Sequence, residues 1–375
     1  GLGYKNGSEA GAYFTVIANP SLKWETQIST DIALEFGLFD RLTGTIEYFK
    51  KDSKDLLFDV SQPASVGVTS IIQNIGKVTN SGVEIELDYN AFKNKDWSVS
   101  VGANATFVKN KIKNLPATMK ENGYISGSKK WLEGKSIYEF WLRQWHGVDP
   151  QTGDGLYVAD VSKYNQGNIG TGDGNITQSQ FDEYKKTVVT IDGKELTNSY
   201  TYAKYDFSGS SIPDVYGGFN VRVSYKNFDL AAVFSYQLGG QILDTNYATM
   251  MSMTEFGYAQ SPDLLKAWKQ AGDITEVPRI DNSAAHTTNI GQSYSTRWLT
   301  SSDYLNLRSV TIGYQLPKTW LSKVMLKSAR LNLTAENLFM LKARQGLNPM
   351  ANYSGVTYNE YMPSRNITLG LNVSF

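Results

Sequence analysis

Residues 361–375 read YMPSRNITLGLNVSF, and from Ile367 onward every second residue is apolar: Ile367, Leu369, Leu371, Val373 and Phe375. The residues between them are Thr368, Gly370, Asn372 and Ser374. Successive side chains of an extended chain leave opposite faces, so this segment has one apolar side and one polar side. A soluble sandwich strand alternates in the same way. A strand that also ends the sequence on an aromatic fits better as the closing strand of an outer-membrane barrel, its apolar side to lipid and its polar side to the lumen.

The same alternation recurs upstream. Ile28, Ile32, Leu34 and Leu38 alternate with Ser29, Asp31, Ala33, Glu35 and Gly37. Leu42, Ile46 and Tyr48 stand opposite Thr43, Thr45 and Glu47, and Val83, Ile85, Leu87 and Tyr89 stand opposite Glu84, Glu86, Asp88 and Asn90. Carboxylates in the middle of such a strand belong on the water side. Further strands are predicted at 97–107, 138–148, near Leu156, at 219–225, 230–238, 303–316 and 331–336, about eleven in all with the last one. Short connections at 39–41, 93–95, 149–155, 225–228 and 316–328 alternate with long ones at 110–137, 160–212, 240–300 and 342–360. That is how membrane barrels set periplasmic turns against extracellular loops. An odd strand number puts the two ends on opposite sides, with residue 1 in an outward loop, whereas single-chain barrels are even. The stretch therefore reads as all-β, the C-terminal part of a larger transmembrane antiparallel barrel running over 1–375. One helix is predicted in SPDLLKAWKQAG (261–272), with Ser261 as N-cap and Pro262 as first helical residue.

Composition narrows the chemistry. The 375 residues carry 36 basic and 36 acidic side chains, so nothing marks a nucleic-acid surface. No run approaches the roughly 18 apolar residues of a membrane helix, which barrel strands do not need. Cysteine is absent, which removes thiol catalysis and disulfides. The start, GLGYKNGSEAGAYF, has no charged-then-apolar leader, so the stretch reads as cytoplasmic or as a processed or partial chain. His146 and His286 are the two histidines and lack the convergent partners of a triad or zinc site, so no enzyme, cofactor or metal is expected. TGDGNITQSQFDEY (171–184) offers Asp173, Gly174 and Ile176 in a calcium-loop-like order, but Ile169, Thr171 and Gln180 occupy ligand positions, and a polar surface loop is expected instead.

Six separated segments carry a resemblance. NPSLKWE (19–25), RLTGTIEYFKKDSKDLL (41–57), NIGKVTNSGVEIEL (74–87), SDYLNLRSVTIGYQLPK (302–318), ARLNLTAENLF (329–339) and NITLGLNVSF (366–375) together resemble the C-terminal barrel half of SusC/RagA-type TonB-dependent outer-membrane transporters. The resemblance implies a barrel of about 22 strands filled by an N-terminal plug. It implies the Gram-negative outer membrane, with lipid as the surrounding. It also implies energy from the TonB–ExbB–ExbD complex through a plug and TonB box outside this stretch, the N-terminal half of the same barrel, and a SusD-like surface lipoprotein as lid. The expected cargo is an oligosaccharide or an oligopeptide, with the glycan preferred. A passive structural or adhesive barrel is the alternative. Trp131, Trp141, Trp145, Trp268, Trp298, Tyr353 and Tyr358 fall in or near outward loops, where aromatic faces stack on sugars or hold peptide side chains, pack loops together, or meet the lid. On family grounds Phe375 is the terminal signal read by the outer-membrane insertion machinery.

Overall fold

The computed structural model describes residues 5–6, 9–10, 18–61, 70–172, 174–253, 257, 259–283, 286, 290–291, 294–322 and 325–375. Nine long strands form one antiparallel sheet in which each strand pairs with the next along the chain. They are β1 (Thr26–Leu38), β2 (Leu42–Ser61), β3 (Ser70–Lys93), β4 (Trp97–Asn114), β5 (Val215–Tyr225), β6 (Phe228–Leu238), β7 (Tyr304–Gln315), β8 (Ser328–Lys342) and β9 (Asn366–Ser374). The order explains why sequence patterning is readable: every neighbour is a hairpin partner, so no crossover interrupts the alternation.

Register shows which face meets lipid. One row of directly paired residues crosses the whole sheet as Leu38, Leu42, Tyr89, Val101, Val221, Ala232, Val310, Ala335 and Ile367. The adjacent row, on the other face, is Gly37, Thr43, Asp88, Gly102, Asn220, Val233, Ser309, Glu336 and Asn366. The first is apolar throughout and the second is polar or glycine at every strand but β6. In β9, Ile367 and Leu369 are 72% and 75% exposed, an arrangement that water penalises and hydrocarbon does not. The paired aromatics Trp97, Tyr225, Phe228 and Tyr314 line the turn end of the apolar face, with ring centroids 4.3 Å apart in the Trp97–Tyr225 and Phe228–Tyr314 pairs. Amphipathic rings at that height suit a membrane–water boundary.

Four short connections, at 39–41, 94–96, 226–227 and 316–327, join consecutive strands at one end of the sheet. Phe39, Asp40 and Lys226 have φ of 56°, 51° and 50°. Positive φ at these positions is what a tight hairpin reversal demands of the backbone. Long segments join the strands at the opposite end, the outer one. β2 and β3 have 20 and 24 residues, far more than the roughly ten that cross hydrocarbon, so their outer halves stand above the membrane.

Several sequence expectations fall differently. The segment 138–148 splits into strands Glu139–Arg143 and Trp145–Val148, and the strand at Leu156 is Gly155–Val158. They belong to two separate four-stranded sheets and not to the wall. Consequently 149–155 is a turn within an outer loop rather than a periplasmic one. The helix predicted at 261–272 is a 3-10 turn, Pro262–Lys266, although Ser261 caps it as expected by accepting the Asp263 amide at 3.3 Å. The α-helix α1 (Gln178–Thr187) lies where a structureless loop is predicted. It opens on a reciprocal cap: Thr177 Oγ1 accepts the Gln180 amide at 3.2 Å, and Gln180 Oε1 accepts the Thr177 amide at 2.8 Å.

Candidate functional site in the outer loops and lumen

The long connections 115–214, 239–303 and 343–365 pack into one body above the wall. Its core draws Phe140 and Leu142 from the first, Leu243, Ala248, Met251, Leu264, Val277 and Trp298 from the second, and Val356 from the third. Backbone ties hold the loops in register. The Leu243 amide donates to the Gly355 carbonyl at 2.7 Å and the Thr357 amide to the Leu243 carbonyl at 3.1 Å. The Arg279 amide donates to the Gly153 carbonyl at 2.9 Å. An ion pair of 3.0 Å joins Arg344 to the buried Asp244. Burial of this kind stabilises loops that would otherwise remain separately mobile above a membrane.

The aromatic candidates are distributed through this body. Trp298 is 2% exposed, with Arg297 over its ring at 4.3 Å and Tyr247 edge-on at 5.9 Å. Trp131 donates Nε1–H to the Ile137 carbonyl at 3.2 Å and packs against Phe58 at 5.7 Å, fastening the hairpin Tyr124–Ser126/Lys129–Trp131 to β2. Trp145 lies edge-on to Tyr157 at 5.1 Å and under Arg297 at 4.7 Å. Trp268 donates to the Pro150 carbonyl at 3.0 Å and rests on Gly153, where a Cβ would come within 2.4 Å of the ring. Trp145 and Trp268 tie the first outer connection to the second, Trp131 ties a loop hairpin to the wall, and Trp298 sits in the shared core. Trp141 is half-buried against Phe207 and Tyr205, with the Lys130 ammonium 4.0 Å from its ring centre. Tyr353 meets Tyr138 edge-on at 5.1 Å and otherwise faces out, and Tyr358 is exposed. Trp141, Tyr353 and Tyr358 therefore keep part of their surface exposed.

Charged groups that composition alone does not single out also organise the body. Lys129, 9% exposed, donates to the Tyr138 carbonyl at 2.9 Å and to Ser211 Oγ at 3.2 Å, with Phe140 beneath it at 3.3 Å. Burial pushes its ammonium down to about 7, partly offset by nearby Glu139. Ser211 Oγ in turn donates to the Tyr353 carbonyl at 3.3 Å, so this amine joins three chain segments. His286 is buried, its Nε2 2.8 Å from the Arg279 carbonyl and its Nδ1 3.8 Å from Asp154, which also pairs with Arg279 at 3.1 Å. His146 lies exposed on the strand Trp145–Val148. Asp173 of the calcium-like stretch lies outside the described residues; Ile169 and Ile176 are bridged to each other, and Gln180 serves the cap of α1.

The lumen face carries fixed charge. Glu47 is directly paired with Glu84, and Glu86 and Asp88 follow on the same side. Among the described residues none of these four has a cation within ion-pair distance. Nearer the turns, Arg330 and Asp229 pair at 2.7 Å across Gly313, whose missing side chain leaves the space the pair occupies.

An antiparallel sheet with lipid-side apolar rows, a polar inner face and an outer loop body defines an outer-membrane β-barrel wall. The family model described as "TonB dependent receptor-like, beta-barrel" matches residues 1–239, and the chain belongs to that family, in its SusC/RagA branch and in the Gram-negative outer membrane. "TonB-dependent receptor P3" of Formosa agariphila is 29% identical over 384 residues, covering 97% of this chain and 36% of that protein. "TonB-dependent receptor SusC" of Bacteroides thetaiotaomicron is 24% identical over 95% of this chain and 32% of that protein. The structure titled "RagAB peptide importer in the 'closed-closed' state" superposes with a TM-score of 0.76 at 25% identity, covering 100% of this chain and 38% of its counterpart. The chain thus spans about a third of the length of the relatives it matches.

Proposed function

We propose that the protein to which this chain contributes actively imports an oligosaccharide or oligopeptide across the outer membrane. The observation carrying this reading is the wall itself: nine strands, polar within, roofed by interlocked loops, with β1 and β9 each paired on one side only among the described residues. Free strand edges in hydrocarbon leave backbone groups unpaired at several kcal/mol each, so the wall calls for further strands of the same chain to close it. The N-terminal half of the barrel supplies those strands and an internal plug. TonB–ExbB–ExbD acts on the plug, and a SusD-like lipoprotein covers the loop body. Within that body, Trp141, Tyr353 and Tyr358 are the aromatics placed to touch cargo or lid, while Trp131, Trp145, Trp268 and Trp298 hold the loops that present them. Phe375, exposed at the end of β9, serves as the assembly signal.

The test is uptake by cells carrying the full-length gene. Labelled oligosaccharide and oligopeptide pools are offered with TonB present or deleted. Uptake of one pool that disappears with TonB is the expected result. Uptake of neither pool, or uptake indifferent to TonB, replaces the reading with that of a passive barrel.

A further inference from the structure

We propose that the periplasmic rim of the wall is a binding site for anionic phospholipid headgroups, phosphatidylglycerol and cardiolipin, in the inner leaflet of the outer membrane. The chain as a whole is balanced, with 36 basic and 36 acidic residues. The rim is not. Among the described residues, the four short connections and the residue on either side of each carry six basic side chains: Arg41, Lys93, Lys95, Lys226, Lys318 and Lys327. They carry two acidic ones, Asp40 and Asp96. All six basic residues are exposed, and none has a carboxylate within ion-pair distance among the described residues. Backbone bonds make the rim continuous. The Asn90 amide donates to the Arg41 carbonyl at 2.8 Å, the Lys226 amide to the Asp96 carbonyl at 2.8 Å and the Gln315 amide to the Asn227 carbonyl at 2.9 Å. Each turn is thus fastened to the strand or turn beside it, and the cations line one arc.

Aromatic rings set the depth of these charges. The Lys226 ammonium stands 5.2 Å from the centre of the Tyr225 ring, and that ring packs on Trp97 at the membrane boundary. Trp320 and Met325, 60% and 89% exposed, share their connection with Lys318 and Lys327. On β1 the apolar row stops at Leu38, and Phe39, Asp40 and Arg41 follow at once. Exposed apolar side chains beside exposed ammonium groups match the level at which acyl chain gives way to phosphate. A phosphodiester offers anionic oxygens to the lysines, as basic segments find on any anionic leaflet. Phosphatidylethanolamine carries its own ammonium, which offsets that attraction. An acidic soluble partner would answer the charges alone, whereas an anionic phospholipid answers the charges and the rings together. The site goes beyond the import reading and does not depend on what the barrel carries.

The experiment counts lipids on the purified full-length protein in detergent. Phosphatidylethanolamine, phosphatidylglycerol and cardiolipin with matched acyl chains are added in equal amounts, and native mass spectrometry identifies those that stay bound. The two anionic lipids are expected to outnumber phosphatidylethanolamine severalfold and to lose that lead as ionic strength rises. Lys95→Gln combined with Lys226→Gln is expected to weaken phosphatidylglycerol by about fivefold for each lysine removed. Lys226→Arg should keep binding. Lys269→Gln, an equal change of charge on an exposed outer-loop residue, should leave it unaltered. Trp320→Ala is expected to weaken all three lipids alike. Heat-modifiable migration on gels confirms that each variant is assembled. Equal binding of the three lipids, unchanged phosphatidylglycerol binding in the double variant, or the same loss in Lys269→Gln overturns the site. Capture of acidic cell-wall fragments in place of phosphatidylglycerol overturns it as well, and gives the rim to a soluble polyanion.

Discussion

The wall and the loop body solve opposite problems with the same strands. In the wall, apolar side chains point outward and stay exposed, as Leu369 does, while Glu84 and Asp88 point inward. In the loop body, Phe140 and Leu142 are buried and the alternating Glu139, Trp141 and Arg143 are half-buried on the wetter face. The strand Glu139–Arg143 has the alternation of a wall strand, but water, not lipid, lies on its other side. The difference teaches that alternation reports two unlike faces and is silent on which solvent each one meets.

That comparison breaks most sharply at Trp298. Trp298→Ala removes the largest fully buried side chain of the loop core and is expected to cost the loops about 3–5 kcal/mol. Hydrogen exchange should show lost protection at Phe140, Leu243 and Val356 with β1–β9 unchanged; equal loss in the wall would mean that the two regions form one cooperative unit. On the lipid row, Val221→Arg should destabilise the wall by roughly 2–4 kcal/mol in a chemical-denaturation titration of the micelle-embedded barrel. Thr45→Arg, on the lumen face opposite Glu86, should cost far less, and parity of the two would undo the assignment of faces.

Lys129 tests the loop body by pH. Its folded-state value of about 7 lies below the usual 10.5, so between those limits the opened hairpin binds a proton that the closed one does not. Protection of Tyr124–Trp131, corrected for intrinsic exchange, should rise with pH from 7 toward 10.5, by at most about tenfold per unit. Below 7 both forms are charged and the dependence vanishes. Lys129→Met should flatten the curve, and a persisting slope would assign it to another group. The smallest effect is expected at Thr177→Ala, which removes one half of the α1 cap and should cost that helix about 1 kcal/mol, read from its own amides.

The wall was legible because its constraint repeats at every second residue and its partners are sequence neighbours. The boundaries were less so: β2, β3 and β4 run on past the membrane, where the pattern relaxes. The loop core was not legible, since Phe140, Leu243, Trp298 and Val356 are brought together from three connections with no common period. The reciprocal Thr177–Gln180 pair had the T-x-x-Q spacing of a cap and was an available signal. Location alone marks the aromatic candidates and does not separate a half-exposed ring such as Trp141 from one that staples two loops, as Trp268 does.

The apolar row from Leu38 to Ile367 has a geometric consequence. It starts at the last residue of β1 and reaches β9 seven residues before that strand's end at Ser374, after eight pairings. The row therefore climbs by close to one residue per strand. With about 3.4 Å per residue and 4.8 Å between strands, the strands lean roughly 30–35° from the barrel axis. Side chains of one hydrogen-bonded row consequently occupy different depths, like steps of a spiral stair. Asp88 on β3 and Glu336 on β8 share a row and lie at different heights above the periplasm.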